Sequence, residues 1–163
     1  MHEILLVEDS QSDASLVQRT LQAAGVCNPV RHILNGAEAI AYLEAAVIAP
    51  GASNKPIPSI LLLDLKLPDM TGFDILARIE GRSEFANMLR IVLSVLGDTA
   101  SVRKAYASGA HSFLNKPILQ EDIDELIKNF PRQWLLSDAA RLRNPARHAE
   151  GAQEFKQFPN PPT

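Results

Sequence analysis

Four ionisable residues and one hydroxyl stand where short apolar runs end. Glu8 and Asp9 follow "ILLV", Asp64 follows "ILLL", Ser94 follows "IVL", and Lys116 follows "SFLN". Taken singly, each can be a residue that caps a strand or starts a helix. Three carboxylates in one place are different. At about 4 Å, two like charges repel by ~4 kcal/mol at an effective dielectric of about 20. Such a group gains stability only with a cation in it. A divalent ion with oxygen ligands is the natural occupant, and Mg²⁺ suits a site with few carboxylates and several retained waters. Lys116 would add a permanent positive charge. A carboxylate in that setting, held up to solvent on a rigid strand, could also be a nucleophile.

These residues can meet only if the runs that carry them lie side by side. Apolar, β-branched or Leu-rich runs occur at 4–7, 30–34, 60–63, 91–93 and 112–114. The second is the most mixed, as an edge strand would be. Stretches with helical spacing separate them: Leu16, Val17, Thr20 and Leu21; Ala39, Ile40 and Leu43; Phe73, Ile75, Leu76 and Ile79; Val102, Ala105 and Tyr106; Ile123, Leu126, Ile127 and Phe130. Gly25, Gly81 and Gly109 stand where three of these helices should stop in a left-handed residue. Pro131 should end or kink the last. Five strand–helix repeats predict an α/β fold, a doubly wound five-stranded parallel sheet with helices on both faces. Active crevices of such sheets lie at the carboxyl ends of the strands, where the acids and the lysine stand.

The chain has 163 residues, 46% hydrophobic and 21% charged, with net charge −3. That suits one domain with a tail and gives no general affinity for nucleic acid or acidic membranes. The single Cys27 excludes an internal disulfide and fits a reducing compartment. No run of about 18 apolar residues predicts a membrane span, and the first residues carry no export signal, so a cytoplasmic location is expected. Residues 49–59, "APGASNKPIPS", read as a long loop. A domain is expected over 1–136 and a flexible tail over 137–163, where large apolar residues are few.

"LLVEDS", "LLLDLKLPDMTG", "LSVLGD" and "GAHSFLNKP", in this order and with these gaps, resemble the receiver domain of two-component response regulators over about residues 2–130. The resemblance implies the strand order 2-1-3-4-5. It makes Asp64 the phosphoacceptor, charged by a sensor histidine kinase. It makes Asp9, Asp64 and the backbone carbonyl of Lys66 the Mg²⁺ ligands, with Glu8 acting indirectly. Ser94 and Lys116 would bind the phosphoryl group, Phe113 would report the switch, and the bond from Lys116 to Pro117 would be cis. Output would be a changed protein–protein surface rather than enzymatic turnover. The long loop and the late Trp134 are similar to the single-domain regulators that partner bacterial phytochrome kinases. Members of that group pair as homodimers, and Phe130 and Trp134, with Leu135 and Leu136, form an apolar end available for such pairing. Three other readings compete. A haloacid-dehalogenase-like phosphatase wants a second acid two residues after the nucleophile, where this chain has Lys66. A flavodoxin-like FMN carrier wants a phosphate-binding loop after the first strand, where "EDSQSD" puts acids. An unphosphorylated scaffold is the third.

Overall fold

Strands covered by helices on both faces must be apolar on both, and the runs at 4–7 and 60–63 meet that condition. The structure, a computed structural model, describes residues 2–48, 56–95 and 97–144. Strands and helices alternate: β1 (Ile4–Val7), α1 (Gln11–Ala23), β2 (Val30–Ile33), α2 (Gly36–Ile48), β3 (Ile60–Asp64), α3 (Gly72–Ile79), a 3-10 turn at Ser83–Phe85, β4 (Leu89–Ser94), α4 (Thr99–Ala107), β5 (Ser112–Asn115) and α5 (Gln120–Asn129). A further helix, α6 (Asp138–Arg143), follows. All strand pairs are parallel, in the order β2-β1-β3-β4-β5.

Strand alternation divides the core in two. Ile4, Leu6, Ile60, Leu62, Ile91 and Leu93 face α1 and α5, whose Val17, Leu21, Ile123 and Leu126 close that side. Leu5, Val7, Leu61, Leu63 and Val92 face α2 and α3, against Ala39, Leu43, Ile75 and Leu76. The register pairs Val7 with Leu63, Asp64 with Leu93 and Ser94 with Asn115, which brings the strand ends level. Gly25, Gly81 and Gly109 adopt φ of 80°, 70° and 93° just past α1, α3 and α4.

The structure departs from the sequence expectations in three places. β4 begins at Leu89, ahead of the expected residue 91, and so carries Arg90 inside the sheet. Arg90 is 8% exposed, and its guanidinium donates to the carbonyls of Gly109 and Phe85 at 3.1 Å each and lies 3.7 Å from Glu80. Those partners let a charged residue occupy a central strand. The second departure concerns the tail, which was expected to be flexible from 137. Instead Ser137 caps α6, its Oγ accepting from the Ala140 amide at 3.3 Å, and the Ser137 amide donates to the Gly25 carbonyl at 2.8 Å. The rest of the expected tail, 145–163, and residues 49–55 of the expected loop lie outside the described residues.

Third, Phe130 and Trp134 do not form an exposed apolar end. They are 8% and 1% exposed and belong to the α1–α5 core, together with Leu136 and Ala140. The chain after α5 turns back across the end of α1, where Val26 and Leu136 form an antiparallel bridge and the Cys27 amide donates to the Leu135 carbonyl at 2.7 Å. That return folds the aromatics inward. Among the described residues no helix is long and apolar enough to cross a membrane.

Candidate functional site

The strands that end level with one another deliver their polar groups to the same edge. β1 delivers Glu8 and Asp9, β3 ends on Asp64, β4 ends on Ser94, and β5 leads into Lys116. Glu8, Asp9 and Asp64 each offer a carboxylate oxygen within 4.8 Å of the others. Glu8 is fully buried, Asp64 is 5% exposed, and Asp9 is open to solvent. The Lys116 ammonium lies among them, 2.7 Å from Asp64 Oδ2 and in a short contact with Glu8 Oε2. The bond from Lys116 to Pro117 is cis, and the Lys116 amide donates to the Ser94 carbonyl at 2.7 Å.

Asp64 is held from both sides. Its Oδ1 accepts from the Lys66 amide at 2.9 Å while Lys116 engages Oδ2. Lys66 itself is exposed, and it pairs with Thr71 in an isolated antiparallel bridge. Gly72 then closes the turn. A Cβ there would lie 2.6 Å from the Asp64 carbonyl oxygen, so the residue type permits the chain's return. Phe113, on β5, is half-buried against the α2–α3 side of the core. Gly97 packs on it so closely that a Cβ would come within 2.8 Å of the ring.

Burial governs the protonation of this group. It pushes the Glu8 carboxyl up to about 7, against the hydrogen bonds from Lys116 and the Ser10 amide. Burial also works against the Lys116 charge, but the hydrogen bonds to Asp64 and Glu8, with their charges, outweigh it and hold the ammonium above the usual lysine range. Lys116 thus stays charged, and burial draws Glu8 toward its protonated form. The donor set is all oxygen, which suits a hard divalent cation rather than a soft one.

One acid escaped the sequence reading. Asp13, in the first turn of α1, places Oδ2 3.4 Å from the Lys116 ammonium. It stands three residues after Ser10, the N-cap of α1, whose Oγ accepts from the Asp13 amide at 3.2 Å. Its place on the site face follows from the angle at which α1 leaves β1, which the sequence does not spell out.

Comparison with known proteins now bears on this geometry. The chain matches the family model described as the response regulator receiver domain over residues 4–128. It is 29% identical over 132 residues to the response regulator Rcp1 of Synechocystis sp., covering 81% of this chain and 88% of that protein. The structure of the bacteriophytochrome response regulator AtBRR superposes with a TM-score of 0.69 at 27% identity, covering 85% of this chain and 98% of that one. The Mn²⁺-bound form of Rcp1 superposes with a TM-score of 0.65 at 28% identity, covering 84% and 99%.

Proposed function

The chain belongs to the response regulator receiver family, and from that premise we propose that Asp64 accepts a phosphoryl group from a phosphohistidine of a sensor kinase. The observation that carries the proposal is the Lys116 ammonium 2.7 Å from Asp64, inside a group of three carboxylates spanning no more than 4.8 Å. An Asp64 oxygen forms the new bond to phosphorus as the phosphorus–nitrogen bond of the donor breaks, and its electron pair stays on the imidazole. The product is an acyl phosphate. The leaving imidazole takes its proton from solvent, and no oxidation is involved.

Positioning and charge do most of the work, because the transferring group passes through a loose transition state with charge spread over its oxygens. The Lys66 amide and Lys116 fix both oxygens of Asp64 in the ground state. On transfer, Lys116 pairs with a phosphoryl oxygen as a mobile point charge. Ser94 donates its hydroxyl to another. Asp9, Asp64 and the Lys66 carbonyl would hold Mg²⁺, with Glu8 supporting from behind. When bound, the ion supplies the positive charge that lets two anions approach. The Mn²⁺-bound Rcp1 relative and the all-oxygen donor set support this assignment.

Ser94 moving toward the phosphoryl group carries the segment after β4 with it. Gly97 lies against Phe113, so that shift changes the space open to the ring. Phosphorylation then favours one of two packings of the α4–β5–α5 face, through contacts made in that packing alone. The role is a switch rather than turnover of a substrate. The likeness to AtBRR supports a bacteriophytochrome as the kinase. A homodimer is also proposed, with Phe130 and Trp134 buried in the core and so not at its contact. A single monomer mass by light scattering at all concentrations and phosphorylation states would refute it.

The test of the central proposal is intact mass after incubation with a small phosphodonor and Mg²⁺. The wild type gains one phosphoryl group and Asp64→Asn gains none. Equal gain in both, or none in either, overturns it.

A further inference from the structure

The Lys66 carbonyl sits on the loop from Leu65 to Thr71, and what holds that loop still lies outside the acidic pocket. At its base the loop is tied to itself, by the bridge between Lys66 and Thr71 and by the Gly72 amide donating to the Leu65 carbonyl at 2.9 Å. Its apex, Pro68-Asp69-Met70, reaches across to a different element. Asp69 Oδ1 accepts from the Gly36 amide and Oδ2 from the Ala37 amide, each at 2.8 Å. These are the first two amides of α2, orphans by the geometry of any helix. The third, Glu38, is satisfied by its own Asn35 side chain at 2.9 Å. Met70 makes a second tether. Its side chain fills the place where a Cβ on Gly36 would be, so the glycine is what lets the loop dock.

We propose that Asp69 is a positioning residue for the metal site: by capping α2 with both carboxylate oxygens, it fixes the loop whose Lys66 carbonyl completes the ligand set. The inference rests on the receiver reading and names a residue that touches neither metal nor phosphoryl group. An anionic group at a helix N-terminus is favoured by the macrodipole, and here it binds in two places at once. The amides of Gly36 and Ala37 hold the Asp69 carboxyl below the usual range, which favours its acceptor form. Two connecting residues, Leu34 and Asn35, separate β2 from α2, so the anchoring amides are themselves fixed to the sheet.

The test is Mg²⁺ affinity by titration calorimetry with the full chain. Asp69→Ala should raise the Kd by on the order of tenfold, as loss of an outer-shell partner does in metal sites. Asp69→Asn, which keeps one acceptor oxygen, should fall between. Ser137→Ala, a lost cap on α6 remote from the pocket, should lower the melting temperature and leave the Kd unchanged. An Asp69→Ala protein with a lowered melting temperature and an unaltered Kd overturns the positioning role and leaves the receiver reading standing. A wild type that takes up no Mg²⁺ overturns both. Amide exchange of the wild type gives a second arm that needs no variant to fold: Mg²⁺ should slow Gly36 and Ala37 several-fold and leave Ala140 unchanged. Exchange at Gly36 and Ala37 that ignores Mg²⁺ also overturns the proposal.

Discussion

Asp9 is the acid whose removal separates repulsion from function most cleanly. It is exposed, whereas Glu8 is fully buried and Asp64 nearly so, and the Lys116 ammonium is engaged by Glu8, Asp64 and, at 3.4 Å, Asp13. Asp9 therefore adds negative charge to a group whose one ammonium is already shared. Asp9→Asn should stabilise the metal-free protein. The bare Coulomb figure for such a pair, ~4 kcal/mol at an effective dielectric of about 20, is cut by solvent to about 1 kcal/mol at an exposed site. The same change should abolish Mg²⁺ binding. Urea denaturation with and without the ion checks both effects, and a less stable metal-free variant would contradict the crowding argument. The site was legible at this scale because its acids end apolar runs, and such ends are where a parallel sheet presents its chemistry. Asp13 and Asp69 were not legible in that way. One joins through the phase of a helix, the other through the path of a loop, and tertiary packing decides which way each faces.

At the scale of elements, the strands and the five main helices were readable from periodicity, because burial on one or two faces writes a repeat into the sequence. The segment after α5 carries no such repeat. Its α6 has six residues and buries only Ala140, too little to write a period. What fixes it is Asn28, 6% exposed, well upstream between α1 and β2. The Asn28 amide donates to the His2 carbonyl at 2.6 Å and the Gln133 carbonyl at 2.9 Å, and its oxygen accepts from the Leu135 amide at 2.7 Å. Three backbone groups, one from the start of the chain and two from the segment after α5, thus meet on one side chain. Asn28→Ala leaves them without protein partners and should cost about 2–3 kcal/mol. It should also expose Trp134, which is 1% exposed in the intact protein. A shift of tryptophan emission to longer wavelength together with a lower urea midpoint is the expected result. An unchanged midpoint would mean that the apolar contacts of Trp134 and Leu136 hold the segment without Asn28.

For the molecule as a whole, two groups at opposite ends of the sheet oppose one another in their response to pH. Glu8 lies at the carboxyl ends of the strands, with its folded pKa raised by burial from 4.5 to about 7. Between those values the folded state binds more protons than the unfolded, so this contribution is fully present below about 4.5 and is lost as pH rises to about 7. His111 lies just before β5, where its Nδ1 accepts the Arg90 amide at 3.0 Å. Burial, then the nearby Arg90 charge, lowers its folded pKa from 6.5 to about 4. Here the unfolded state binds more protons, so this contribution is present above about 6.5 and is lost as pH falls to about 4. Asp69, Asp74 and Asp98, whose folded pKa values lie below 3.8, act only under more acid conditions. Stability of the metal-free wild type should therefore be nearly level from pH 4.5 to 6.5, the window the two titrations share. Single variants should remove the balance. His111→Asn keeps an acceptor for the Arg90 amide but no longer titrates, so its stability should fall as pH rises, by about 2 kcal/mol across the window after allowance for solvent. Glu8→Gln should slope the other way by a similar amount. Urea midpoints at three pH values decide the matter: parallel curves for wild type and both variants would show that neither group carries the pH dependence, whereas crossing curves would trace it to the two ends of one sheet.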